Sequence, residues 1–556
     1  MLPAVRALRE QLGDAARSFG QVFRNPNIRK IEGAWAASIL SHWAYGIALA
    51  VYAYRDGGAA AVGLIGLVRF LPSAIASPFA AVLGDKFRRE RVIVVAELTR
   101  AVLLAATTVV VVMDGPAALV YLLAALVAIA YSAVRPAQAA LLPSLAKNPQ
   151  ELTAANVTSS TIESLGIFGG PAIGGLVLAA TSPDVVFGGA AAAFLLSALL
   201  VSRVRVDVQP EPRESRGGAL QEFAAGFVTL GKEKGLRVLV LLLVSQTLVA
   251  GALNVLIVVT ALQLLELGEE GVGFLNSAVG IGGLLGAMIS AALVGRRLTT
   301  NFLVGIVLWG IPIGLIGVFP DPLPVLLFLA LVGLGNTLVD VSAFTLLQRA
   351  VPDDVLARVF GAVQGLWVGT LGLGAIVAPL LIAAVDIRGA LLITGALLPI
   401  LAIVLRGRLT QLDDVPVPER ELALLRGIDL FHPLPAPTLE SLARALSPVR
   451  VKAGEVLFRQ GDIGDRYYIV ADGEVEIVAD DRVVAVTGPG GYFGEIALLR
   501  DIPRTATVRA KADAELLALD RDDFIAAVTG HAASSEAADS VIAARLGSLR
   551  PGLASV

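Results

Sequence analysis

Long apolar runs recur from about Glu32 to Leu405, and the pattern changes character after Gln411. The runs fall at about 33–54, 61–83, 92–113, 117–138, 158–180, 184–204, 237–262, 272–294, 301–319, 322–345, 357–383 and 388–406. As helices, each is long enough to cross a hydrocarbon core of roughly 30 Å. The pattern therefore predicts an all-α membrane bundle of about twelve spans in two halves of six, with both ends of the array on one side. Alternate connections differ in charge. "GDKFRRER" (84–91), "KEKGLR" (232–237), "GRRLTTN" (295–301) and "RGRLTQ" (406–411) are basic, whereas the other set carries only Arg55 and Arg388. The positive-inside rule places the basic set and both termini in the cytoplasm, in a multi-pass protein of the cell membrane.

Beyond Pro416 the period changes. "APTLESLARAL" (436–446) reads as an amphipathic helix. "GEVLFRQG" (454–461), "DRYYIV" (465–470), "GEVEIVA" (473–479) and "RVVAVTG" (482–488) alternate with period two between Gly/Asp turns, as short strands do. "DRDDFIAAV" (520–528) and "SSEAADSVIAARLGSL" (534–549) read as helices. The tail is thus expected to be a β-roll with flanking helices. The expected organisation is an N-terminal segment 1–32, a first half 33–204, a central loop 205–236, a second half 237–406, a linker 407–421 and a tail domain 422–556.

Composition supports the division and excludes several functions. Of 556 residues, 56% are hydrophobic and only 16% charged, with mean hydropathy +0.76. A net charge of −3 supplies no basic field for nucleic acid. There is no cysteine, hence no disulfide, thiol chemistry or thiolate metal site. The three histidines, His42, His432 and His531, are too far apart to form a local ligand motif, so neither metal nor bound cofactor is expected. No Walker-type phosphate loop suggests ATP as the power source. The first thirty or so residues are amphipathic and charged and are read as cytoplasmic rather than as a signal peptide.

Several clusters carry candidate chemistry. The halves echo each other: "ALLPSLAKNPQELTAANV" (140–157) joins spans four and five, and "TLLQRAVPDDVLARVF" (345–360) joins spans ten and eleven. Matching sequence at matching places suggests a parallel internal repeat, as in transporters that bind substrate between halves. The turn after span two holds Asp85, Lys86, Arg89 and Arg91, which can form an ion-pair latch at the membrane surface; a plain positive-inside anchor is the alternative. Span five carries Gly166, Gly170, Pro171, Gly174 and Gly175, a pattern for close helix approach with a proline bend, or for ordinary tight packing. Ionisable residues inside spans are costly and are therefore candidates for function. His42, Arg69, Glu163 and Asp340 are candidates for substrate or proton contacts, while Glu97 and Arg100, three residues apart, suit a structural ion pair. Gln246, Trp309, Asn336 and Trp367 are candidates for the path or for packing.

Residues 80–92, with Leu83, Asp85, Lys86, Arg89 and Arg91, resemble the signature of the major facilitator superfamily, although Ala81 and Arg88 stand where that signature has glycine. "GIFGGPAIGG" in span five resembles the antiporter motif of its drug exporters. With "ELTR" in span three and "RPAQAALLPSL" at the end of span four, the layout over roughly 20–406 is similar to the branch of macrolide, siderophore and lysophospholipid exporters. The resemblance makes spans three, six, nine and twelve peripheral.

"GEIALLRDIPRTATV" (494–508) resembles the phosphate-binding cassette of cyclic nucleotide-binding domains, and the likeness extends over about 425–549. By that resemblance Gly494, Glu495, Ile496, Ala497 and Leu498 open the cassette, Glu495 takes the ribose hydroxyl and Arg504 the phosphate. Thr505 stands where threonine permits cGMP and alanine favours cAMP, and Thr507 completes "RTAT". Amides and one guanidinium suit a cyclic phosphate, and a carboxylate suits a hydroxyl donor. The expectation is a proton-coupled exporter of a small amphiphile, in contact with membrane lipids and regulated by cAMP or cGMP. A receptor or scaffold that moves no solute, and a lysophospholipid flippase, are the alternatives. The oligomeric state is not legible.

Overall fold

The apolar runs of residues 26–409 fold into long helices in the computed structural model, which describes residues 25–146, 149–204, 234–293, 298–351, 353–409, 419–431, 434 and 436–529. The chain divides into two units, Met1–Asp414 and Val415–Val556. The expected helix at 534–549, the central loop through residue 233 and most of the 407–421 linker lie outside the described residues.

The first unit runs α1 (Pro26–Lys86), α2 (Arg89–Val112), α3 (Ala117–Tyr131), α4 (Val134–Leu145), α5 (Pro149–Ala180), α6 (Pro183–Ser202), α7 (Lys234–Val259), a π-helical turn (Thr260–Leu264), α8 (Gly268–Leu293), α9 (Leu298–Val318), α10 (Pro322–Ala350) and α11 (Asp353–Leu409). Ten helical stretches among the described residues are long and apolar enough to cross a membrane. Two of them each hold two of the expected spans. In α1 the helix breaks at Gly57 and Gly58, the latter at φ +60° and ψ −150°, a region that only glycine enters freely. In α11 it breaks at Val385 and Asp386, and Asp386 Oδ1 accepts the Gly389 amide at 2.7 Å, capping the restart.

Span four differs from expectation. It runs on to Leu145 and is divided into α3 and α4 by a turn at Ser132–Ala133. Pro136 has no N–H to donate to the Ser132 carbonyl, and its ring crowds that carbonyl. The outer face of the bundle is apolar: Val95 is 62%, Leu380 65% and Val404 70% exposed. A contiguous surface of this kind fits lipid rather than water. The polar groups turn inward, with Glu97 and Arg100 fully buried.

The second unit begins with α12 (Glu419–Arg426) and α13 (Ala436–Ala445). Strands β1 (Ser447–Val451), β2 (Val456–Phe458), β3 (Arg466–Asp472), β4 (Val475–Ala479), β5 (Arg482–Thr487) and β6 (Tyr492–Phe493) lead to a short helix α14 (Glu495–Leu499). Strands β7 (Thr507–Ala510) and β8 (Ala514–Asp520) and helix α15 (Arg521–Thr529) follow. Two antiparallel sheets, ordered β1-β8-β3-β6 and β2-β7-β4-β5, form the roll. Strand β3 explains how they are held. Its alternate residues Tyr467 and Ile469 join the helix-side core with Phe431 and Phe524, while Tyr468 and Val470 join Phe493, Val508 and Leu516. A strand with both faces buried reads as the continuous apolar run "YYIV".

Candidate functional site

The stretch 494–505 closes over a cavity in the roll with about 740 Å³ of empty space, part of it open to solvent. Gly494 sits at φ +94°, which turns the chain sharply from β6 into α14. That turn puts Glu495 and Ala497 on the cavity wall, and both are buried. Arg504 returns to the same cavity from the loop before β7 and is 3% exposed. Its Nη1 donates to the Gly494 carbonyl at 3.1 Å, and its Nη2 donates to the Arg466 carbonyl at 2.7 Å and to Asp465 Oδ1 at 3.3 Å. The guanidinium lies 4.2 Å from the Phe458 ring centre. Burial lowers the guanidinium from its ordinary value, with the nearby Tyr468 and Asp465 opposing, and it remains a cation. An arginine offers five N–H donors, and three hydrogen bonds are made here. The group is therefore held in place with donor capacity left over for an oxyanion.

The rest of the cavity suits a flat heterocycle. Ile477, Val484 and Ala485 line it together with the polar Glu495, Arg504 and Thr505. The structure thus brings together Gly494, Glu495, Ile496, Ala497, Arg504 and Thr505. Thr507 is not among the lining residues; its hydroxyl accepts the Gln460 amide at 2.9 Å and ties β7 to the turn after β2. Asp465 and Phe458 were not foreseen, because nothing local in the sequence joins them to Arg504. A Cβ at position 494 would lie 2.7 Å from Arg504 Nη1, and the left-handed backbone costs an L-residue roughly 1–2 kcal/mol. Gly494→Ala is accordingly expected to weaken cyclic nucleotide binding several-fold. Titration calorimetry on the full chain checks this; unchanged affinity would mean that the turn is not needed.

In the first unit the span-five glycines face two directions. A Cβ at Gly166 would lie 2.9 Å from Ile39, one at Gly170 2.5 Å from Trp43 Cβ, and one at Gly174 2.9 Å from the Ala44 carbonyl, all on α1. Gly175 instead meets α8, where a Cβ would lie 3.0 Å from Gly273 Cα. Pro171 shares that second face: its carbonyl would lie 2.5 Å from a Cβ at Gly273. Span five is therefore packed through small residues against its own half and the other half at once.

The ionisable candidates are spread over several networks. Glu97 and Arg100 pair at 3.0 Å, Ser38 donates to Glu97 at 2.7 Å, and Arg100 Nη2 lies 3.3 Å from His42 Nδ1. A guanidinium only donates, so Nδ1 is the acceptor. The His42 ring also stacks on Tyr131 at 4.1 Å. Glu163 is paired with Arg135, and the buried Glu32 accepts from Ser159 at 2.6 Å. In the second half Asp340 accepts from Asn336, whose carbonyl oxygen accepts from Gln246 and Trp309. Asp340, Gln246, Phe344 and Trp367 line one small pocket. Arg69 lies over the Tyr45 and Phe70 rings. Arg89 donates to the Ala140 carbonyl of α4; the side chain of Asp85 lies outside the described residues.

Comparisons agree with this division. Residues 34–368 match the model of the Major Facilitator Superfamily, and residues 448–531 match that of the cyclic nucleotide-binding domain. The cAMP-dependent protein kinase regulatory subunit of Dictyostelium discoideum is 41% identical over 112 residues, 19% of this chain and 32% of that protein. An uncharacterized ABC transporter ATP-binding protein of Mycobacterium tuberculosis is 47% identical over 83 residues, 14% of this chain and 25% of that one. The chain thus spans a third or less of the length of these curated relatives. A solved structure of a mutant of the nucleoside transporter NupG superposes with a TM-score of 0.59 at 14% identity, covering 68% of this chain and 99% of that one. At that identity the likeness shows the fold.

Proposed function

The chain belongs to the Major Facilitator Superfamily, and on that premise we propose that it is a proton-coupled exporter of a small amphiphile whose activity is set by cyclic nucleotide bound to its tail. The observation that carries the reading is one polypeptide holding a facilitator bundle and a cavity in which Glu495 and the pinned Arg504 converge. A carboxylate and a guanidinium in a largely apolar cavity match the ribose hydroxyl, phosphate and purine of cAMP or cGMP. The named relative from Dictyostelium discoideum is a cAMP-dependent regulatory subunit, which favours cAMP; Thr505 keeps cGMP open. Asp340 is the candidate coupling group, since its carboxylate has a hydrogen bond from Asn336 and no ion pair among the described residues. His42 and Glu163 are secondary candidates, each engaged by an arginine. Asp85 and Arg89 are proposed to steady the turn after span two. The basic connections support a cytoplasmic tail.

A nucleotide biases transport only if it binds one transporter state better than another, and substrate must then alter nucleotide affinity in return. Proteoliposomes with the tail outward test this. They are given a proton gradient and a panel of fluorescent amphiphiles: a cationic dye, an anionic dye and a lysophospholipid. Flux of at least one probe is expected to depend on the gradient and to change several-fold with added cAMP or cGMP, as coupling of about 1–3 kcal/mol implies. The Glu495→Ala/Arg504→Ala variant should lose the nucleotide response and keep basal flux. Nucleotide binding without any change in flux would leave the tail an uncoupled domain. Gradient-independent scrambling of the lysophospholipid would favour the flippase reading.

A further inference from the structure

Within the spans of the first half, most charged side chains have a hydrogen-bonding partner among the described residues. Arg100 is held by Glu97, Arg135 by Glu163, and Glu32 by the Ser159 hydroxyl. Arg69 forms no ion pair and no hydrogen bond among the described residues; its contacts are the faces of Tyr45 and Phe70. It lies eleven residues beyond the Gly58 break, about 16 Å along the helix at 1.5 Å per residue, which is mid-depth in a hydrocarbon core. The neighbouring span leaves room for it: a Cβ added at Gly46 would stand 3.5 Å from Arg69 Nη1. Its chain neighbour Phe70 lies against Gly372 of α11, so this level of α1 faces the opposite half. Arg69 is only half-buried. The Tyr45 ring that it covers ends in a buried hydroxyl that also has no hydrogen-bond partner.

A lone cation at mid-membrane is costly unless something neutralises it. Aromatic faces attract it, but they accept no N–H bond. No carboxylate among the described residues pairs with Arg69. We infer that the missing counter-charge is brought by the cargo, and that Arg69 is the anchor for an oxyanion head group, carboxylate or phosphate, on an apolar tail. The flat guanidinium fork matches two oxygens of such a group, and the aromatic faces beside it suit the adjoining methylenes. This inference rests on the transport reading and names the class of its substrate.

The test uses the purified full chain in zwitterionic nanodiscs and four probes sharing one tail: dodecyl phosphate, dodecanoate, dodecyltrimethylammonium and dodecanol. The two anions are expected to raise the melting temperature, since ligands of the folded state stabilise it; the cation and the alcohol are not. Arg69→Gln should weaken anion binding roughly ten- to hundredfold, the equivalent of one charge-assisted hydrogen bond, and Arg69→Lys should keep part of it. If Arg69→Gln fails to fold, Arg69→Lys alone decides, by a smaller but measurable loss for the anions only. A larger shift with dodecyl phosphate points to a lipid-type head group, and a larger one with dodecanoate to a free acid. Equal shifts for all four probes, no shift for the anions, or an anion shift unchanged by both variants overturns the proposal. Anion binding that depends on Arg69 without flux in vesicles would instead sink the transport reading and leave the anion site standing.

Discussion

Arg504→Ala is expected to weaken cyclic nucleotide binding roughly ten- to hundredfold, the equivalent of about 1.5–3 kcal/mol for a hydrogen bond to a charged group. The expectation follows from how the side chain is held. Its guanidinium is pinned by the Gly494 and Arg466 carbonyls and by Asp465, so little ordering remains to be done when a phosphate arrives. Truncation removes the cation and also strands those two carbonyls, which stabilise the turn that presents Glu495. The variant should therefore melt earlier as well as bind less. Arg504→Lys separates the two effects. It keeps a charge in the cavity but cannot bridge both carbonyls as the fork does. Titration calorimetry on the full chain, with a melting curve for each variant, makes the measurement. Wild-type affinity in a folded Arg504→Ala protein would remove Arg504 from the site.

That cassette was legible because its polar ligands lie close together in sequence. Glu495 and Arg504 are joined by one short helix and one loop, so their order along the chain nearly fixes their order in space. The supports were not legible for the opposite reason. Asp465 lies 39 positions upstream of Arg504, and only the fold of the roll brings them together. The same contrast runs through the bundle. Spans are local and hydropathy finds them, and the Glu97–Arg100 pair, three residues apart on one helix face, could be read directly. Ser159 on Glu32, 127 positions apart, and Gln246 on Asn336, 90 apart, could not. The turn that splits span four was also missed, because Pro136 sits inside an apolar run that hydropathy averages over. The glycines of span five announced close packing but not its direction. Small residues say that something approaches; the partner is set by the other helix.

The partner decides which glycine matters most for motion, and Gly273→Leu is expected to hold the halves apart at the end of the bundle that carries the Gly57–Gly58 and Val385–Asp386 breaks. A side chain at position 273 meets backbone, the Pro171 carbonyl at 2.5 Å and Gly175 Cα at 2.7 Å, and backbone cannot swing aside as a side chain can. The same end is closed a second time between α1 and α11, where a Cβ at Gly63 would lie 2.6 Å from the Ala375 carbonyl. An Arg55–Glu269 ion pair joins the halves there as well, but it is exposed, and such pairs contribute less than about 1 kcal/mol. Overpacking a close contact costs about 1–3 kcal/mol, so the glycine contact outweighs the ion pair in setting whether this end stays shut. Gly189, where a Cβ would meet nothing within 4 Å, supplies the control. The chain has no cysteine, so thiols introduced at the exposed positions Ala60 and Glu266, one on each half, can be spin-labelled without background. Pulsed-resonance distances between them should lengthen in Gly273→Leu and stay at the wild-type value in Gly189→Leu. Gradient-driven flux should fall at least tenfold in the first and persist in the second, because a bundle that cannot reseal this end cannot complete a cycle. A folded Gly273→Leu protein with the wild-type distance and wild-type flux would show that the Gly175–Gly273 contact is packing alone, with no part in opening and closing the path.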